Sequence, residues 1–479
     1  MRKSLYRILA VLVVLACTLG LAALPAGNAA RAATVEGIQS PAANDPVLKN
    51  VNNWGQFQSD LYNSGVTTSP APVSPVEVGW KVQVGHTDPA QMAAGVNNTP
   101  LVADGKVLVT GALADTWLLD AKTGDTVWTK QLSRLKQSFQ LATPVYGDGR
   151  YFVATNDGHI YALAAGDGAE IWQKDLFQYA VDAGLSTCSI NTLRNNAQLD
   201  SPLKYDNGKI YLGVWGTSQT DLNYYFCLNA ETGEVLWERK TTSGNLGYYW
   251  SGPCVIGDYL LYGDQNRYIT CVNKATGATV SEIKLTDLDP NGYWVRCSVS
   301  YSPETGCVYF GDEHGYLWAF DFNSATGQLA HRWHKKLGIL INSTPAVYNG
   351  RLYVGTNLYT KLGDLFCLNA STGEEIWKFT PEMKKGDDSS GYYSEPGIQA
   401  SPTIYVKDGK PYIYFTTICA YSTVYCLDED GRKVWEFENE EAGLSGGYTT
   451  CSIAVSDGWV YFGNDGGYVY GLRARDAAK

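Results

Sequence analysis

From Val76 to the end of the chain, short runs alternate apolar and polar residues, and turn residues punctuate them. Alternation with period two is the mark of a half-buried strand. One stretch recurs. Cys367 to Trp377 reads C-L-N-A-S-T-G-E-E-I-W. This predicts a strand, a turn that Asn369 opens with its own side chain, Thr372 and Gly373 to close it, and a return strand ending on Trp377. Cys227 to Trp237, Leu118 to Trp128 and Ala162 to Trp172 repeat the plan. Three altered copies follow it. Cys271 starts one with Thr276-Gly277 but Ser281 where Trp is expected. Ala319 starts a longer one around Thr326-Gly327 that ends at Trp333. Cys426 starts a shorter one that turns at Gly431 and ends at Trp435.

A small-polar-Pro start opens each unit: Asn98-Thr99-Pro100, Ala142-Thr143-Pro144, Asp200-Ser201-Pro202, Ser251-Gly252-Pro253, Ser343-Thr344-Pro345 and Ala400-Ser401-Pro402. Cys297-Ser298 and Cys451-Ser452 stand in the same place without Pro. Two strands follow, then tight hairpin chemistry in several units, as in Asn156-Asp157-Gly158, Glu313-His314-Gly315 and Asp465-Gly466-Gly467. Each unit therefore holds four antiparallel strands. Units start near 99, 143, 201, 252, 298, 344, 401 and 452, a spacing that suits propeller blades rather than helical solenoids. The eighth unit supplies three strands and no closing Trp. A lone strand from Val76 to Val84, carrying Trp80, precedes the first unit. The expectation is an all-β, eight-bladed propeller over residues 76–479, closed when the N-terminal strand completes the last blade, which leaves no open sheet edge. Trp80, Trp128, Trp172, Trp237, Trp333, Trp377 and Trp435 are its structural tryptophans.

Upstream, Arg2, Lys3 and Arg7 precede an apolar run from Ile8 to Leu24, and Ala30-Arg31-Ala32 makes a small-x-small cleavage site. Residues 1–32 read as a secretory signal, so the mature chain is expected outside the cell or on the envelope exterior, with no membrane span after cleavage. Cys17 and the length of the run leave a lipid-anchored or uncleaved form open. Residues 33–75 form a leader and an entry segment, W-x-x-F-x-x-D-x-x-x-x-G from Trp54 to Gly65. The net charge is −11, and loss of the signal removes four positive charges more. That argues against nucleic acid or an anionic membrane surface as partner. Ten cysteines remain. Cys227, Cys271, Cys367 and Cys426 share the repeat position held elsewhere by Ala162 and Ala319, so they are expected to pack as small apolar groups. Cys188, Cys297, Cys419 and Cys451 are the better disulfide candidates.

The repeats resemble the pyrroloquinoline-quinone (PQQ)-type propeller repeat, whose docking motif runs A-x-D/N-x-x-T-G-x-x-x-W. The copies at Cys227 and Cys367 match it except at the first position. The resemblance implies the propeller fold. It also implies a family that includes quinoprotein alcohol dehydrogenases and the propeller lipoprotein of the outer-membrane β-barrel assembly machinery. Such a dehydrogenase stacks PQQ on a Trp beneath a disulfide of adjacent cysteines, beside calcium and an Asp base. No two cysteines are adjacent here and no C-x-x-C-H haem site occurs. The expectation is therefore a monomeric, secreted propeller without PQQ or calcium that binds or scaffolds a protein, peptide or glycan and does not catalyse. A PQQ-dependent dehydrogenase and an assembly-type lipoprotein are the alternatives.

The expected binding surface is a set of Gly-aromatic runs in the loops before the inner strands: Tyr248, Tyr249 and Trp250; Tyr293 and Trp294; Tyr392 and Tyr393; and Tyr448. Rigid aromatics beside Asp287, Asp388 and Glu395 suit a ligand, or else seal the channel mouth. Insertions at 177–199 and 381–399 widen that face. Asp287, Asp289 and Asn291 begin like a calcium loop, but Pro290 interrupts it and Ser298 stands where the closing acid belongs. His331 and His334 are expected on opposite faces of a strand, which disfavours a shared metal.

Overall fold

The computed structural model describes residues 52–84, 95–134, 140–244, 246–357, 362–384, 395–419, 422–439 and 448–478. The signal with Cys17, the leader to Val51, and Asp388, Tyr392 and Tyr393 lie outside the described residues. The described part is an eight-bladed propeller of antiparallel sheets. The first blade runs through Leu101–Ala103, Lys106–Thr110, Asp115–Asp120 and Thr126–Gln131. The inner strands of the next six are Val145–Gly147, Lys204–Asp206, Cys254–Ile256, Ser300–Ser302, Ala346–Tyr348 and Thr403–Lys407. The eighth has Ala454–Ser456, Trp459–Gly463 and Tyr468–Ala474, and its outer strand is Val76–Gln83. That strand pairs with Val76 opposite Ala474 and Gln83 opposite Tyr468, so the two ends of the described propeller share one sheet.

The tryptophans hold neighbouring blades together. Each indole N–H donates to a carbonyl in the turn of the following blade: Trp80 to Ala121 at 2.9 Å, Trp128 to Ala165 at 3.1 Å, Trp172 to Ala230 at 3.0 Å, Trp237 to Lys274 at 3.1 Å, Trp333 to Ala370 at 3.3 Å and Trp377 to Glu429 at 3.0 Å. The eighth blade has no such turn, and Trp435 donates to Pro72 of the entry segment instead, at 2.9 Å. The turn glycine has two reasons to be glycine. Gly373 has φ +73°, and a Cβ there would lie 2.9 Å from the Trp333 ring. Asn369 Oδ1 accepts from the N–H of Ser371 and Thr372 and shapes the turn.

A bulge recurs in the return strand. Cys227 pairs with Trp237 and Leu228 with Val235, so Leu236 is extruded. The same step leaves Val127, Ile171, Leu236 and Ile376 exposed. Among the described residues no disulfide joins any of the ten cysteines, Cys188, Cys297, Cys419 and Cys451 included. Cys297 and Cys451 have another role. Their Sγ atoms accept from the N–H of Gly311 at 2.9 Å and Gly463 at 3.1 Å, as the Ser343 hydroxyl does from Gly355. Burial pushes the Cys227, Cys271 and Cys367 thiols up to about 12, as fits packing groups.

Two departures from a pure β pattern matter. The insertion after the second blade folds into the short helices Leu176–Asp182 and Ile190–Asn196, capped by the Asp175 and Ser189 side chains. The entry segment threads the ring from inside. It bridges Trp54 to Val102 and accepts N–H bonds from Tyr146, Val255, Tyr301 and Ile404, which belong to the inner strands of blades two, four, five and seven. Buried Lys204 donates to the carbonyls of Phe57 at 3.1 Å and Asp60 at 2.7 Å, and to Asn63 Oδ1 at 2.6 Å. The inner edges that a propeller leaves open are thus paired by its own N-terminal segment. No described helix is long and apolar enough to cross a membrane.

Candidate functional site

The small-polar-Pro starts converge on the central channel. Their hydroxyls link blade to blade. Gly252 N–H donates to Ser298 Oγ, Ser298 N–H to Thr344 Oγ1, Thr344 N–H to Ser401 Oγ and Ser401 N–H to Ser452 Oγ, all at 2.9–3.1 Å. This belt explains why Ser and Thr recur there. Above it, Asn97, Leu141, Trp250, Asn342, Gln399 and Thr450 line a cavity of about 70 Å³, and Phe57 of the entry segment contributes to its wall. That is well under the roughly 300 Å³ at which drug-sized sites begin. Each of these six residues stands two places before a belt position, so one repeat position supplies a wall of mixed chemistry.

The wall is polar and incompletely satisfied. Asn97 Nδ2 donates to Asp465 Oδ1 at 2.7 Å and to Thr450 Oγ1 at 3.3 Å, which fixes the amide and leaves its Oδ1 without a protein partner. The side-chain oxygens of Asn342 and Gln399 also lack one. Burial pushes the Asp465 carboxyl up to about 7, against the pull of Asn97. Asp200, in the third start motif, is fully buried with neither oxygen paired, and burial pushes it up to about 8. Trp250 has φ +59°, a left-handed backbone that is costly for a bulky side chain and collects at functional sites.

The expected aromatic residues have separate places. Tyr248 is fully buried between Tyr225 and Tyr262 and has no surface to offer. Tyr249 stacks on Trp250 at 4.9 Å and meets Trp215 at 4.7 Å. Trp294 stacks on Tyr293, and Tyr293 lies on His314 at 3.8 Å. Arg296 spans the two groups, 4.7 Å from the Tyr249 ring and 5.0 Å from Trp294, and pairs with Glu313 at 2.6 Å. The carbonyl of Tyr448 accepts from the Asp465 N–H. Of the expected aromatics among the described residues, Trp250 lines the cavity. Glu395 Oε2 accepts from the Leu362 N–H at 2.8 Å.

Asp289 is engaged differently from a calcium ligand. Its Oδ1 accepts from the Asn291 N–H at 2.8 Å and its Oδ2 faces His334 at 3.2 Å, while Asp287 is exposed. His331 and His334 do not face opposite ways. Ala319 pairs with Trp333 and Phe320 with His331, which bulges Arg332 and returns both imidazoles to one face. Sequence reasoning passed over Asn97, Asn342, Gln399, Asp465 and Asp200. For Asn97, Asn342, Gln399 and Asp200 the signal was a polar residue at or just before the start motif, visible once the units are aligned on it; Asp465 stands instead in the hairpin turn of the eighth unit.

A family profile described as outer membrane protein assembly factor BamB matches residues 89–283 and 314–479. The chain is 24% identical to the quinoprotein alcohol dehydrogenase PedH of Pseudomonas putida, over 71% of this chain and 51% of that protein. It is also 24% identical to the quinohemoprotein alcohol dehydrogenase ADH-IIG of Pseudomonas putida, over 83% and 46%. The chain thus spans about half the length of the curated relatives it matches. Among solved structures, a europium-containing methanol dehydrogenase superposes with TM-score 0.67 at 13% identity, covering 89% of this chain and 98% of that one. BamB from Moraxella catarrhalis superposes with TM-score 0.57 at 16% identity, covering 85% and 100%. These structural likenesses show the fold. The sequence relatives are dehydrogenases, and they overturn the expectation of a propeller that binds or scaffolds without catalysing. The chain belongs to the PQQ-type β-propeller repeat family whose profile is described as outer membrane protein assembly factor BamB.

Proposed function

We propose that the protein is a quinone-dependent dehydrogenase that oxidises a small alcohol in the channel-mouth cavity, the kind of activity named for PedH and ADH-IIG. One observation carries this reading: an indole and several amides line one cavity, with the half-buried Asp465 carboxyl, pushed up to about 7, one hydrogen bond behind it.

The lining offers a surface for a flat ring, and the space of about 70 Å³ would have to open to take PQQ. Trp250 lines the cavity with Tyr249 stacked on it, and its indole offers a surface for a planar ring. Asn97, Asn342 and Gln399 surround that space with amides. The residues do not fit the calcium ion. Among the described residues no three acidic, imidazole or thiol groups gather to hold a metal, and no step is assigned to one. Nor do adjacent cysteines stand over the site.

Bound there, a quinone would supply the acceptor for the two electrons of the alcohol. The chain supplies the rest. Phe57 and Leu141 keep part of the wall apolar. The amides orient the substrate hydroxyl. The carboxylate form of Asp465, which stands behind Asn97 and does not itself line the cavity, would take the hydroxyl proton through a water. The test is dye reduction by the chain given PQQ and short alcohols, with and without calcium. Alcohol-dependent turnover is expected. Trp250→Ala should abolish it, and Asp465→Asn should lower kcat about 100-fold and remove the rise in rate through neutral pH. No dye reduction with any alcohol contradicts the reading.

A further inference from the structure

On the fifth blade, away from the channel residues, His331 Nε2 lies 3.0 Å from His334 Nδ1, and His334 Nε2 lies 3.2 Å from Asp289 Oδ2. A carboxylate only accepts, so Asp289 takes the Nε2–H of neutral His334. His334 Nδ1 is then a bare lone pair turned toward His331. A carboxylate that fixes an imidazole tautomer from behind is the usual support of a metal-binding histidine. The pair is reachable as well: the side chains of His334 and Asp289 are 24% and 20% exposed. The His334 ring lies stacked on Trp318 at 4.5 Å, which limits its motion.

We propose that His331 and His334 form a binding site for a divalent transition-metal cation of the copper, nickel and zinc class, with Asp289 orienting His334. The distances decide the geometry. Two imidazole bonds of about 2.0–2.1 Å meeting at a right angle place the nitrogens about 2.9 Å apart, close to the 3.0 Å present; a tetrahedral angle asks for about 3.3 Å. The 3.0 Å contact is itself an N–H···N bond, and once its proton has left, a small turn of the rings brings the two nitrogens to adjacent corners of a square-planar site, for which copper(II) is the preferred ion. On binding, His331 moves its proton to Nδ1 and gives Nε2 to the metal. Both rings stay neutral, no bond to carbon changes and no electron is transferred. Water fills the remaining positions, since no third acidic, imidazole or thiol group among the described residues completes a set. Neither His159 nor His314 shares this arrangement: His159 lies between Asp157 and Asp175, and His314 Nδ1 meets the Asn291 carbonyl.

The test is calorimetric titration of the full chain, carried without a histidine tag, with copper(II). One equivalent should bind per chain. His331→Asn and His334→Asn should each weaken it at least tenfold, Asp289→Asn about tenfold, and His314→Asn should leave it unchanged. Equal binding by His331→Asn and the native chain overturns the site, as does a titration that never saturates. Should a variant fail to fold, electron paramagnetic resonance of the copper-loaded native chain decides. Hyperfine coupling to two imidazole nitrogens supports the site, and an oxygen-only signal overturns it.

Discussion

Asp200, Asp264 and Asp465 are carboxylic acids held in places where a charge has little solvation. Burial pushes them to about 8, 7 and 7. Unfolded, such groups ionise near 4. Between that value and the folded one, the native chain holds a proton that the unfolded chain has released, so stability falls as pH rises. Asp200 alone contributes a slope of about 1.4 kcal/mol per pH unit in that window. Urea unfolding at pH 5 and pH 8 should give the higher midpoint at pH 5, and Asp200→Asn should shrink the difference. An unchanged difference in the variant contradicts the assignment. At this scale the sequence was readable where residue type recurs. Cys227, Cys271, Cys367 and Cys426 sit buried where the repeat demands a small group. His331 and His334 were misread because alternation along a strand holds only while register holds, and the bulge at Arg332 breaks it.

Among the elements, the entry segment carries the most structure for its length. Trp54, Phe57, Asp60 and Gly65 were visible as a motif, but their course along the inner strands was not. Bonds to Val102, Tyr146, Val255, Tyr301 and Ile404 join positions far apart in the chain, and no local pattern encodes such pairings. Lys204 is its anchor. It is 1% exposed, and three acceptors share its ammonium. Lys204→Met fits the space and takes the ammonium from the Phe57 carbonyl and Asn63 Oδ1, while the Asp60 carbonyl keeps the Asn63 N–H. A loss of about 3 kcal/mol in denaturant unfolding is expected; a loss below about 1 kcal/mol would mean that the segment is held chiefly by its backbone bonds. The helices at 176–182 and 190–196 escaped notice because each is too short for its apolar spacing to stand out from the strands around it.

The whole molecule was the most legible level. Counting start motifs and tryptophans predicts eight blades and assigns the Val76 to Val84 strand to the last one, and Val76–Gln83 pairs there. Function was the least legible, for a related reason. Repeats declare themselves by what is shared, whereas the cavity takes its chemistry from what differs. Asn97, Leu141, Trp250, Asn342, Gln399 and Thr450 occupy one repeat position and present amide, aliphatic, indole and hydroxyl groups to one space. Aligning the units for their common features averages that set away. The central claim is that this space holds a planar quinone against Trp250. Equilibrium titration with PQQ, followed by intrinsic tryptophan fluorescence, tests it most directly. Saturable one-to-one quenching is expected, lost in Trp250→Ala and kept in Leu236→Ala, whose side chain is exposed at an outer bulge. Quenching of equal affinity in Trp250→Ala, or no saturable quenching in the native chain, would contradict it.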